Sequence, residues 1–136
     1  MRYSNRRYMK EIQEAIINKY EGDDTIVTLT TGLHNTEAPQ GSEYPYIVFS
    51  FPSGIPDWTF SDDQREFVVQ FKIHDNSRTV VNVNLIYAAL HNLFDWCELT
   101  IEDWHLTYMK EILEFLVRVD DKWQYVIQYR IRIEKN

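Results

Sequence analysis

The stretch from Trp123 to Glu134 alternates more strictly than any other part of the chain. Trp123, Tyr125, Ile127, Tyr129, Ile131 and Ile133 occupy one set of positions, and Gln124, Val126, Gln128, Arg130, Arg132 and Glu134 the other. Side chains of a strand point to opposite faces in turn, so the apolar set falls on one side. The pattern predicts a final strand that is hydrophobic on one face only. Gln64 to His74 repeats it: Phe67, Val69, Phe71 and Ile73 face one way, and Glu66, Val68, Gln70, Lys72 and His74 the other. Two one-sided strands of this length call for a sheet with a layer of helices over its apolar face.

Two segments have helical spacing. In residues 5–20, Tyr8, Ile12, Ala15, Ile16 and Tyr20 recur at intervals of three and four and share one face. Ser4 suits the N-cap, and Gly22 stands where a left-handed terminator is favoured. In "HDNSRTVVNVNLIYAALHNLFDWC", Val83, Ile86, Tyr87, Leu90, Leu93, Phe94 and Cys97 form a nearly continuous apolar stripe, with Ser77 as the expected N-cap.

The remaining strands are read from composition and punctuation. Residues 24–31, "DTIVTLTT", are rich in β-branched side chains and read as a short strand. A polar loop follows from Gly32 to Glu43, then a strand from Tyr44 to Phe51. Pro45 sits near the start of that strand, where a missing N–H is best tolerated. Pro52 to Asp63 reads as a second loop, carrying Ile55, Trp58 and Phe60, so residues 44–74 form a long hairpin with a decorated tip. Residues 99–119 fit strand patterning at Trp104, Leu106 and Tyr108. "YMKEILEFL" also fits a helical turn, and strand is the reading adopted. Asp120-Asp121 makes the turn into the final strand.

The order is α-β-β-β-α-β-β in one domain spanning residues 1–136. The fold class expected is α+β, a mostly antiparallel sheet with two helices packed on one face. At 136 residues with 44% hydrophobic side chains, the chain can bury a core without a disulfide or metal staple. No apolar run approaches the length of a membrane span, and no signal peptide is expected from the basic start. The single cysteine, Cys97, has no internal partner, which fits a reducing compartment.

Chemistry is sparse. His34, His74, His91 and His105 do not pair with each other or with Cys97 at a metal-ligand spacing. The acidic pairs Asp23-Asp24, Asp62-Asp63, Glu102-Asp103 and Asp120-Asp121 fall at element boundaries, where turn and cap chemistry accounts for them. There is no glycine-rich phosphate loop, no GxSxG and no Walker pattern. No catalytic residue, cofactor or metal is expected, and the chain reads as a non-enzyme. The net charge of −7 argues against a duplex-binding surface, although residues 1–20 are locally basic. Trp58 and Phe60, in a polar loop, suit burial against a partner or folding back over the sheet.

Ala38-Pro39 followed by Tyr44-Pro45-Tyr46-Ile47-Val48 resembles the "aP…yPYvvf" block of small phage tail-completion proteins, the tail terminators or head–tail joining proteins. The order of elements matches as well. The resemblance implies a structural virion protein without catalysis. It would form a homo-hexameric ring at the head-proximal end of the tail, between the tail tube protein and the head–tail connector protein. DNA would pass through the ring without specific binding, no membrane would be involved, and assembly would take place in the host cytoplasm. Candidate contact residues are Ile55, Trp58 and Phe60 in the second loop, with Pro39 and Tyr44 at the first. The alternative is a non-viral oligomeric adaptor domain of the same α+β type.

Overall fold

The computed structural model describes residues 7–52, 58–61 and 64–136. Helix α1 spans Arg7–Glu21 and α2 spans Asp24–Leu29; strands β1, Leu33–Asn35, β2, Tyr46–Ser50, β3, Trp58–Ser61, and β4, Gln64–Asp75, follow. Helix α3 covers Val81–Phe94, and β5, Thr100–Ile101, β6, Trp104–Val119, and β7, Lys122–Lys135, complete the chain. The strands lie in the order β1-β2-β4-β7-β6-β5, with β3 added to β4. The β1–β2 pair is parallel and every other pair antiparallel, so the α+β class and the mostly antiparallel sheet hold.

The two alternating segments form the centre. β4 pairs with β7 along its whole length, from Gln64↔Glu134 to Asp75↔Trp123. Phe67, Val69, Phe71 and Ile73 thereby share a face with Ile127, Tyr129, Ile131 and Ile133, and all are buried. The helices cover that face. Ile12, Ala15, Ile16 and Tyr20 come from α1, Ile26 from α2, and Val83, Ile86, Ala89, Leu90 and Phe94 from α3, in one contiguous core. Phe71 stacks on Phe94 at 4.8 Å between ring centroids and meets Tyr129 edge-on at 5.8 Å.

Residues 24–31 are a correction. The expected strand is helix α2, which gives three covering helices in place of two. Capping outweighs β-propensity here: the Asp23 carboxylate accepts the Ile26 N–H at 3.0 Å. The Thr28 and Thr30 hydroxyls donate back to the Asp24 and Ile26 carbonyls at 2.7 and 2.9 Å, so these β-branched residues are accommodated within the turn. Ile26 is then buried in the core, with Leu29 packed against it.

Helix ends also differ from expectation. Gly22 is not left-handed; its N–H donates to the Asn18 carbonyl at 3.1 Å and continues the helical pattern. Ser77 does not cap α3, whose N-cap is Val80 without a side-chain bond. The Ser77 hydroxyl instead donates to Asp75 Oδ1 at 3.1 Å and accepts from Asn82 Nδ2 at 3.0 Å, tying the end of β4 to the first turn of α3.

The loop expected over 32–43 contains β1, and the one expected over 52–63 contains β3. β3 continues the edge that β2 leaves: β2 pairs with Gln70–His74 of β4, and β3 with Gln64–Glu66. Residues 99–119, expected as one strand, hold two: β5 turns back at Glu102-Asp103 into β6, which carries bulges between Leu106 and Tyr108 and between Glu111 and Leu113.

Candidate assembly surface

Two features stand out on this scaffold: a polar cluster under α3, and the outer surfaces of the sheet.

The polar cluster is built on Glu111. Its place opposite Tyr129 in the β6–β7 ladder turns its side chain to the helix-covered face. Tyr87 and His91 lie one turn apart on α3 and reach the same carboxylate. The Tyr87 hydroxyl is 2.9 and 3.1 Å from the two oxygens, and His91 Nδ1 is 2.9 Å from Oε1. His91 Nε2 lies 3.5 Å from Asp95, whose other oxygen accepts the Glu111 N–H at 2.9 Å. Tyr87 also stacks on Tyr125, whose hydroxyl donates to Glu114 at 3.0 Å. Burial, and after it the bond to Glu111, holds the Tyr87 phenol above its ordinary range. Burial and the bond to Glu114 push Tyr125 up to about 12.

This arrangement ties α3 to β6. Both Glu111 oxygens are engaged by Tyr87, and one is shared with His91. Cys97, the nearby thiol, packs at 3.9 Å from Met109 Sδ and is pushed up to about 11 by burial, which keeps it protonated near neutrality. Among the described residues, no group of three or more His, Cys, Asp or Glu side chains could hold a metal ion. The cluster was not singled out from the sequence. Only the i,i+4 spacings Tyr87–His91 and His91–Asp95 hinted at it, and the partner on β6 is joined by the fold alone.

The surface carries the rest. Trp58 opposes Glu66 across the β3–β4 ladder, and Phe60 sits at the register shift between Thr59 and Ser61. Ile55 lies outside the described residues. Pro39 is exposed, and its carbonyl accepts both the N–H and the hydroxyl of Ser42, at 3.1 and 2.7 Å, which closes the turn before β2. Tyr44 is half-buried, and its peptide bond to Pro45 is cis. Tyr44 sits 5.2 Å from Tyr46, which stacks on His74 at 4.8 Å. The structure thus brings Tyr44 near the end of the β2–β4 ladder, while Trp58 and Phe60 belong to its far extension.

Beside this aromatic group, on the face away from the helices, lies an open groove of about 270 Å³. The loop at Thr36–Ala38 walls one side, and Ser50, Lys72 and His74 line the floor. Burial and the neighbouring Lys72 lower the His74 pKa, so the groove floor carries a neutral imidazole near pH 7. The alanine of the Ala38-Pro39 pair is therefore part of a groove wall.

Exposed apolar side chains gather elsewhere. Ile112, Leu113, Phe115 and Val119 lie along the second half of β6. Two bulges, between Leu106 and Tyr108 and between Glu111 and Leu113, each shift the alternation, so no single period in the sequence marks them.

No protein-family model matches the chain, and no curated protein matches it. Solved structures do. A chain from the virion of a native gene transfer agent particle superposes with a TM-score of 0.81 at 15% identity, over 94% of this chain and 98% of that one. The bacteriophage SPP1 gp17 protein gives a TM-score of 0.62 at 16% identity, over 93% and 90%. At these identities the likeness is one of fold. It agrees with the resemblance to phage tail-completion proteins carried by residues 38–48.

Proposed function

We propose that this chain is a structural virion protein of the tail-terminator type. In this reading it forms a ring at the head-proximal end of a tail tube and joins the tube to the head connector. The observation that carries the proposal is the fold match to a chain of an assembled virion, over 94% of this chain and 98% of that one. A shared fold assigns no chemistry by itself. The second support is local: the Glu111 cluster offers anchoring contacts, and the thiol near it is held protonated.

Ring contacts are assigned to the segments of the sequence motif and the hairpin tip: Pro39 and Tyr44 at the first, Ile55, Trp58 and Phe60 at the second. DNA passes the ring without being gripped, in keeping with a chain of net charge −7. The experiment is negative-stain electron microscopy of the purified protein, alone and mixed with tail tubes from a phage that encodes a close relative. Rings that cap one end of each tube are expected. A protein that stays unassembled and leaves the tubes bare overturns the reading.

A further inference from the structure

The outer edge of β6 is sealed over its first half and open over its second. β5 covers Trp104 and His105. The turn after α3 covers the next part: the Trp96 N–H donates to the Met109 carbonyl at 2.6 Å, and Asp95 accepts the Glu111 N–H at 2.9 Å. From Leu113 to Val119, no described strand or loop hydrogen-bonds to that edge. Leu113, Phe115 and Val119 there are 43, 43 and 42% exposed. A free edge bearing exposed apolar side chains is a template for another strand.

The order of residues in the open segment selects the strand. It reads Leu113-Glu114-Phe115-Leu116-Val117-Arg118-Val119. The register with β7 puts Glu114, Leu116 and Arg118 opposite Ile127, Tyr125 and Trp123 on the helix-side face. It puts Leu113, Phe115, Val117 and Val119 on the other. An antiparallel copy of the same segment, centred on Leu116, sets Glu114 against Arg118 of the second copy, and Arg118 against its Glu114. Leu113 then meets Val119, and Phe115 meets Val117, with every pair on a common face of the sheet. Centring on Val117 would set Glu114 against Asp120, and centring on Glu114 or Arg118 would oppose like charges. Opposite charges across a ladder stabilise it, and like charges oppose it.

We propose that a second copy of this chain docks on this edge, antiparallel, with the two-fold axis at Leu116. The contact continues the sheet from one molecule into the other and covers an edge that would otherwise recruit unrelated strands. It engages far fewer residues than the roughly 20–30 a side of a standard interface, so the dimer is weak and concentration-dependent. A two-fold contact uses the same patch on both molecules and cannot close a ring of six by itself. It is therefore separate from the ring contact proposed above, and either can fail without the other.

The test is sedimentation equilibrium of the whole chain, up to millimolar concentration, comparing the wild type with Glu114→Arg, Arg118→Glu and an equimolar mixture of the two variants. The wild type is expected to show a concentration-dependent doubling of mass, which each variant alone weakens at least about tenfold. The mixture restores it, because every Arg then faces a Glu. Recovery in the mixture also shows that both variants are folded. A wild type without the doubling, variants that pair as well as the wild type, or a mixture no better than its components would overturn the proposal.

Discussion

Tyr87 of α3 lies flat on Tyr125 of β7, with ring centroids 4.5 Å apart and planes 5° from parallel. Each hydroxyl leaves the stack toward a different carboxylate of β6, Tyr87 to Glu111 and Tyr125 to Glu114. Three elements are thereby joined at one point. Tyr87→Phe keeps the stack and removes one charge-assisted bond, and is expected to cost about 1–2 kcal/mol in urea unfolding. The same pair predicts an alkaline limit to stability. An unfolded tyrosine ionises near pH 10, whereas Tyr125 holds its proton to about 12. Stability conferred by the neutral phenol is complete below pH 10. It is lost as the pH rises from 10 toward 12, because there the unfolded chain has released a proton that the folded chain keeps. Melting temperatures measured from pH 8 to 12 should fall across that window, and less steeply in Tyr125→Phe.

The Asp23 carboxylate turns a β-branched segment into a helix by accepting the Ile26 N–H. Asp23→Ala is expected to destabilise the protein by about 1 kcal/mol, and Asp23→Asn by less. Thermal melting of the two variants against the wild type gives the comparison. Equal losses in both would place the effect in charge and not in the cap.

How far the sequence reveals this fold depends on the distance over which each residue's environment is decided. Phe67–Ile73 and Trp123–Ile133 were legible because alternation is local and the two strands pair along the centre of the sheet. The α1 and α3 stripes were legible for the same reason. "DTIVTLTT" was misread because a single cap, together with the burial of Ile26, outweighs the preference of its β-branched residues. Leu33–Asn35 was too short to signal a strand and exists only because Ile47–Phe49 lies beside it. Among surface features, the polar loop before β2 was visible in its residue types, though not its Pro39–Ser42 turn. The open apolar edge of β6 was hidden by the strand's two bulges, and the Glu111 cluster by the separation in sequence of its members.

Cys97 is half-buried against Met109, and burial pushes its thiol from about 9 up to about 11. Since the thiolate is the reactive form, a shift of this size lowers the rate of alkylation at pH 7.5 roughly a hundredfold relative to an exposed thiol. Iodoacetamide labelling followed by mass spectrometry should show slow modification of the native protein and rapid modification in guanidinium. Fast native labelling would mean that the turn between α3 and β5 opens readily.

Trp58 and Phe60 lie on the strand that continues the β2 edge, at the opposite side of the sheet from the free part of β6. β4 does not depend on β3 for its place, because β7 holds its other edge from Gln64 to Asp75. Removing both aromatic side chains should therefore spare the fold and act on assembly. Trp58→Ala with Phe60→Ala is expected to retain the cooperative unfolding of the wild type within about 1 kcal/mol. The same double variant should lose capped tubes in electron microscopy, while Arg118→Glu, on the other edge, should keep them. A double variant that unfolds would assign Trp58 and Phe60 to the core. One that folds and still caps tubes would move the ring contact away from β3, leaving the Pro39–Tyr44 segment to be tested next.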